Sequence, residues 1–176
     1  KYLKEIRPTL QKELGLSSLE ATPKIVKITV NTSSKDFKTD KEFLAKTKDW
    51  MSKITGQTPV ERRSKSAIAA FNLRENEVVG LKVTLRGDRA YDFFEKLTTI
   101  VLSRLKDFQG VSRTTFDQNG NYSLGFSEQI VFPEVEYDKI GKIQGLQVTI
   151  STSANDSKSA EKLLESLGMP FTKESK

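Results

Sequence analysis

Lys82, Thr84 and Arg86 occupy alternate positions near the end of an apolar-polar alternating segment, and Lys27, Thr29 and Asn31 do the same earlier in the chain. Successive side chains of an extended chain point to opposite faces, so each triplet shares one face of a strand. Such a face has the chemistry of polyanion binding. Ammonium and guanidinium groups hold phosphates and displace their counterions, while Thr and Asn read base edges or 2′-hydroxyls. A merely solvated sheet face has the same composition, and the pattern leaves both readings open. Arg62, Arg63 and Lys65 add a basic loop. In residues 64–76, Lys65 and Arg74 bracket the run Ala67, Ile68, Ala69, Ala70 and Phe71. An apolar tip on a long connection is either core filler or a contact arm. Glu134, Glu136 and Asp138 alternate after Pro133. They could ligate a hard cation, but a solvated edge is the simpler reading, and no metal or other cofactor is expected.

What the chain lacks narrows the chemistry further. Among its 176 residues there is no cysteine and no histidine. Disulfides, thiol nucleophiles, thiolate metal sites, Ser-His triads and imidazole shuttles are therefore excluded. The longest apolar run, from Ala67 to Phe71, is far shorter than the ~20 residues of a membrane helix. Residues 1–7 lack the features of a signal peptide, so the chain reads as soluble and as cytosolic or matrix-side. Its formal net charge is +6, from 29 Lys and Arg against 23 Asp and Glu. Residues 1–89 hold 19 of the bases and 11 of the acids, a net of +8, which leaves −2 for residues 90–176. That asymmetry fits a polyanion approached from one side.

The elements that must position these residues follow from periodicity. Leu3, Ile6, Leu10 and Leu14 mark a first helical stripe, with Pro8 at or near its main start and Gly15 at its end. Val26, Ile28 and Val30 alternate with the first polar triplet and predict a strand. Thr39 and Glu42 have the spacing of a capping box ahead of Phe43, Thr47, Trp50, Met51 and Ile54, a helix that stops at Gly56. A short strand starts near Pro59 and Val60. Val79, Leu81, Val83 and Leu85 form the apolar face of the clearest strand. Gly87 and Asp88 then turn the chain and cap a helix with Tyr91, Phe94, Leu97, Val101 and Leu105 on one stripe. Residues 107–138 are turn-rich around a strand at Tyr122 to Phe126. Leu146, Val148 and Ile150 alternate with Gln147, Thr149 and Ser151. Asn155 or Asp156 caps a last helix carrying Ala160, Leu163, Leu164 and Leu167. No repeat or linker interrupts this order, so residues 1–176 are expected to form a single domain. Strands with one apolar face each predict a two-layer α+β sandwich: a mostly antiparallel sheet, helices on one side and an open polar face similar to that of RRM modules. No run of aromatic residues decorates those strands, so base stacking on the sheet is not the expected mode.

Six blocks in order resemble one family. KVTLRG at 82–87, GNYSLG at 120–125 and EQIVFPEVEYDKI at 128–140 are similar to signature blocks of the large-subunit ribosomal protein of universal family five, the bacterial-type binder of 5S ribosomal RNA. TGQTPV at 55–60, KDFQGV at 106–111 and LGMPF at 167–171 are shorter echoes. The resemblance implies a structural protein without catalytic activity on the central protuberance of the large subunit. Its partners would be 5S ribosomal RNA, large-subunit ribosomal RNA, the peptidyl-site transfer RNA and a basic protein of the small-subunit head, with the protein a monomer in the ribosome of a cytoplasm or an organelle. RNA-reading positions of the family fall on Asn31, Gln57 and Thr84, with Lys82 and Arg86 as basic neighbours. The loop toward transfer RNA corresponds to residues 62–76, where Lys65, Phe71 and Arg74 are its candidate contacts. Glu134, Glu136 and Asp138 are candidates for the bridge to the basic partner. The sequence departs from the family at Thr32, Ser33 and Ser34, where a glycine-rich turn is usual, and at Ala70 and Asn76, where the arm usually has glycine. A free RNA-binding regulator or chaperone of the same fold is the alternative function. An enzyme is more distant still, because no carboxylate pair stands out.

Overall fold

A computed structural model describes residues 2–106, 108–137 and 140–172. Its elements run α1 (Arg7–Glu13), β1 (Ile25–Ser33), α2 (Lys41–Thr55), β2 (Val60–Arg63), β3 (Val78–Leu85), α3 (Asp88–Lys96), β4 (Tyr122–Phe126), β5 (Leu146–Thr152) and α4 (Ser157–Ser166). The order is the one the periodicity predicts. The strands form one antiparallel sheet in the order β2, β3, β1, β5, β4, an α+β fold. Chain contacts divide the molecule into two compact units: residues 1–28, 86–124 and 149–176 in the first, residues 29–85 and 125–148 in the second. Among the described residues no helix is long and apolar enough to cross a membrane.

In the first unit the N-terminal segment opens with a wide π turn, Tyr2–Ile6, before α1 begins at the proline-bearing turn. The wide turn advances the buried stripe by one position. Tyr2, Ile6 and Leu10 are buried while Leu3, expected on that stripe, is 67% exposed. Tyr2 stacks on Tyr91 with ring centroids 5.3 Å apart, and its hydroxyl donates to the Pro23 carbonyl at 2.7 Å. Burial pushes the Tyr2 phenol up to about 12. Gly87, at φ +60°, precedes α3 and Asp88 is its first residue, so the cap expected at Asp88 is backbone geometry alone. The helical chain continues through Val101 to Arg104 in π and 3-10 turns. There Thr98, Thr99 and Ser103 bond back to carbonyls four residues earlier, competition that loosens a regular α ladder. Asp156 caps α4 by accepting from the Ser159 amide at 2.9 Å.

In the second unit α2 carries Phe43, Thr47, Trp50, Met51 and Ile54 into the core, the face its spacing predicts. Its cap is Asp40, which accepts from the Phe43 amide at 2.8 Å. Thr39, the expected cap, instead donates to the Asp36 carbonyl. Gly56, at φ +65°, ends the helix in the left-handed conformation that glycine takes without strain. Leu81, Val83 and Leu85 of β3 are buried, as are Val30 and Thr32 of β1. The alternation of β1 is offset at its start, however. Ile25 is buried and Val26, expected on the apolar face, is 44% exposed.

Candidate nucleic-acid interface

The second unit assembles most of the predicted face. Thr29 and Asn31 lie on the outward parity of β1, and Lys82 and Thr84 on that of β3. Gly80 tells how closely the two strands approach, since a Cβ there would sit 2.9 Å from the Thr32 carbonyl oxygen and 3.6 Å from the Ser33 side chain. With no side chain at Gly80, β3 lies close against β1, its neighbour in the sheet, and Lys82 and Thr84 share the outward parity with Thr29 and Asn31. Gln57, delivered by the left-handed turn at Gly56, donates from its side-chain amide to the Thr84 carbonyl at 3.4 Å. The family resemblance groups Gln57 with Thr84, and the geometry brings the two together.

Register decides which arginine joins them. Val60 of β2 pairs with Lys82 and Arg62 pairs with Gly80, so Arg62 shares the outward face, as directly opposed residues do. The ladder then slips, and Arg63 stands opposite Val78, leaving Val79 as the extra residue of a β-bulge. Arg63 lies on the opposite face from Arg62. It pairs with Glu61 at 3.3 Å, and Lys48 of α2 reaches the same carboxylate at 2.5 Å. The hydrogen bond from Lys48, with help from Arg63, holds the Glu61 carboxyl below its ordinary range. Arg63 is thus occupied by a protein anion, whereas Arg62, Lys65 and Lys82 make no ion pair among the described residues. Lys27, half-buried on the same parity of β1, and Arg86, exposed after β3, belong to the first unit.

The arm, residues 64–76, is more regular than its sequence suggests. Ser64 and Asn76 close its base, Asn76 donating to the Ser64 carbonyl at 3.0 Å and Ser64 to that of Glu77 at 2.9 Å. Ile68 and Leu73 exchange two backbone hydrogen bonds around a 3-10 turn, Ala69–Phe71. Asn72 and Asn76 take φ of +49° and +65°. Asparagine tolerates this left-handed region, so Asn76 supplies the conformation a glycine would bring. Ala70 is not asked for it. Phe71 is 66% exposed and Ile68 41%, which removes the core-filler reading. Lys65 and Arg74 are exposed on the flanks.

Of the acidic triplet, Glu134 is half-buried and Glu136 exposed, flanking buried Val135, while Asp138 lies outside the described residues. No group of acids able to hold a metal ion is present among the described residues. The sequence reading misses part of the sheet. Thr149 and Ser151 on the outward parity of β5, and Ser123 of β4, carry hydroxyls, and Ser123 and Thr149 are hydrogen-bonded at 3.1 Å. Their alternation is visible in the sequence, but without a cation among them it gives no binding signal.

The chain is thus of the class of α+β proteins that turn a polar, cation-bearing sheet face outward. Two family models fit the chain, that of ribosomal protein L5 over residues 20–74 and that of the C-terminus of the same ribosomal family over residues 78–171. The large ribosomal subunit protein uL5 of Chloroflexus aggregans is 47% identical over 171 residues, 97% of this chain and 95% of its own. The protein of the same name from Mesoplasma florum is 44% identical over 173 residues, 98% and 96% of the two chains. The chain belongs to the ribosomal protein L5 family. It is a structural constituent of the large ribosomal subunit, associated with ribosomal RNA, and not an enzyme.

Proposed function

We propose that the protein, acting as one domain on the ribosomes of the cytoplasm, binds 5S ribosomal RNA through the outward face of its sheet. Thr29, Asn31, Gln57 and Thr84 would read the RNA, and Lys27, Arg62, Lys82 and Arg86 would hold phosphates. The observation that carries this reading is that Asn31, Lys82 and Thr84 take the outward parity of neighbouring strands, with the Gln57 amide hydrogen-bonded to the Thr84 carbonyl. Large-subunit ribosomal RNA would meet the flanks of the same face, in the central protuberance. The arm, with Lys65, Phe71 and Arg74, reaches toward the peptidyl-site transfer RNA, a role supported by the exposure of Phe71. Glu134, Glu136 and Asp138 face a basic protein of the small-subunit head.

The test compares specific with random RNA. Thr84→Val keeps the shape and removes one hydroxyl, so it should weaken 5S RNA binding by about 1–3 kcal/mol while leaving random RNA nearly untouched. Lys82→Ala should weaken both and reduce the salt slope by up to about 1. Equal losses of both RNAs with Thr84→Val would remove direct readout from this face.

A further inference from the structure

We infer that the groove beside the arm takes one unstacked nucleotide of a single-stranded RNA, with its base against Phe71 and its phosphate on Lys35 and Lys38. This rests on the reading that the arm meets RNA through Phe71, and it concerns a surface apart from the residues that read 5S RNA. The groove has a volume of about 420 Å³, inside the range of roughly 300–1,000 Å³ typical of small-ligand clefts. Phe71, Leu73, Val78 and Val79 give it an apolar lining, and Ser33 and Ser34 give it hydroxyls.

Three features favour a nucleotide. First, Phe71 is a large exposed ring on a fastened support. Its amide donates to the Ile68 carbonyl, the next amide donates to Ala69, and Lys38 Nζ reaches across to the Asn72 carbonyl at 2.6 Å. A ring held in place loses little entropy on stacking, and unpaired RNA bases are recognised by such stacking. Second, the groove has positive charge and no carboxylate in its lining. Asp36, the acid between Lys35 and Phe37, is drawn off by Lys142 at 2.6 Å. A second groove of about 440 Å³, against α2, shares Lys38 but is also lined by Glu61 and Glu77, which would repel a phosphate. Third, Ser34 Oγ already accepts from the Asp36 amide at 3.3 Å, which leaves its proton to donate to a base carbonyl. A base stacked inside an A-form duplex cannot enter, so the groove selects single strands.

The full chain, methyl-labelled, is titrated at fixed salt with single-stranded oligouridylate and separately with a fully paired RNA duplex. Oligouridylate should shift the methyl signals of Leu73, Val78 and Val79, and the duplex should not. Phe71→Ala should weaken oligouridylate binding about tenfold or more, Phe71→Trp should retain it, and Thr84→Val should leave it unchanged. Lys35→Ala should lower the salt slope by up to about 1. Silent methyls, equal binding of the duplex, or an unchanged affinity in Phe71→Ala would overturn the proposal. So would a response to acetyl-leucyl-leucinamide without one to oligouridylate, since the groove would then belong to an apolar protein segment. A silent groove together with 5S binding that depends on Thr84 sinks this inference and leaves the sheet-face reading standing. A responsive groove with 5S binding indifferent to Thr84 sinks only the sheet-face reading.

Discussion

Gly80 is where a single atom decides whether the face exists. A methyl at this position meets the Thr32 carbonyl at 2.9 Å, closer than Cβ atoms come to backbone oxygen, and neither strand can move aside without disturbing its ladder. Gly80→Ala is therefore expected to destabilise the fold by about 1–3 kcal/mol, because the overpacking outweighs the ~0.4–1 kcal/mol that a less flexible unfolded chain returns. Chemical denaturation reads this as a lower midpoint with an unchanged slope, and a midpoint that rises would show that β1 and β3 are not packed flush. Asn76 works the other way. Its left-handed φ of +65° keeps the base of the arm closed where glycine is absent.

At the scale of elements, the arm separates from the body it projects from. Its tip residues are exposed, and its fixings are hydrogen bonds within residues 64–77, among them those of the Ser64 hydroxyl and the Glu77 carboxylate, together with the reach of Lys38 to Asn72 and of Arg63 to the Asn76 carbonyl. Replacing residues 66–73 with a short Asn-Gly turn should leave the unfolding midpoint and 5S RNA binding unchanged while transfer RNA placement on assembled ribosomes is impaired. Loss of folding in that variant would mean that Ile68 and Phe71 serve as core. The sheet around the arm was legible because β3 alternates strictly: Leu81, Val83 and Leu85 could face only one way. The arm was not, because hydrogen bonds between main-chain groups leave no mark on side-chain pattern. Val78 and Val79 look alike in sequence, so the bulge that sets Arg63 opposite Val78 had no signal. Asp40 and Thr39 are both good caps, and only the competing bond to the Asp36 carbonyl separates them. The pairing of Arg63 through Glu61 to Lys48 joins residues up to 15 positions apart, beyond the reach of any local motif.

Across the whole molecule the charge is uneven, with residues 90–176 at a net −2 against +8 before them. RNA phosphates are a poor match for an exposed acid such as Glu136, whereas a basic protein is a good one. Exposed charges steer encounter more than they hold a complex, and salt screens them over ~10 Å at 0.1 M. Replacing Glu134 and Glu136 with Lys should slow the joining of the two ribosomal subunits at low salt, with the difference fading as salt rises and 5S RNA binding intact. Light-scattering kinetics at several ionic strengths would show it. Joining rates equal to those of the unaltered protein throughout would return these acids to the solvated surface.

The two family models part at the end of the arm, between residues 74 and 78, but the compact units part at residues 28, 85, 124 and 148. Neither unit is a continuous stretch of chain, and β2 and β3, partners in one ladder, fall under different family models. A crossover between two relatives in this gene, placed at the boundary that sequence comparison suggests, would join a β2 from one parent to a β3 from the other and divide both units between ancestries. Such a chimera is expected to unfold at a lower denaturant concentration than either parent, because β2 and β3 would no longer be matched partners.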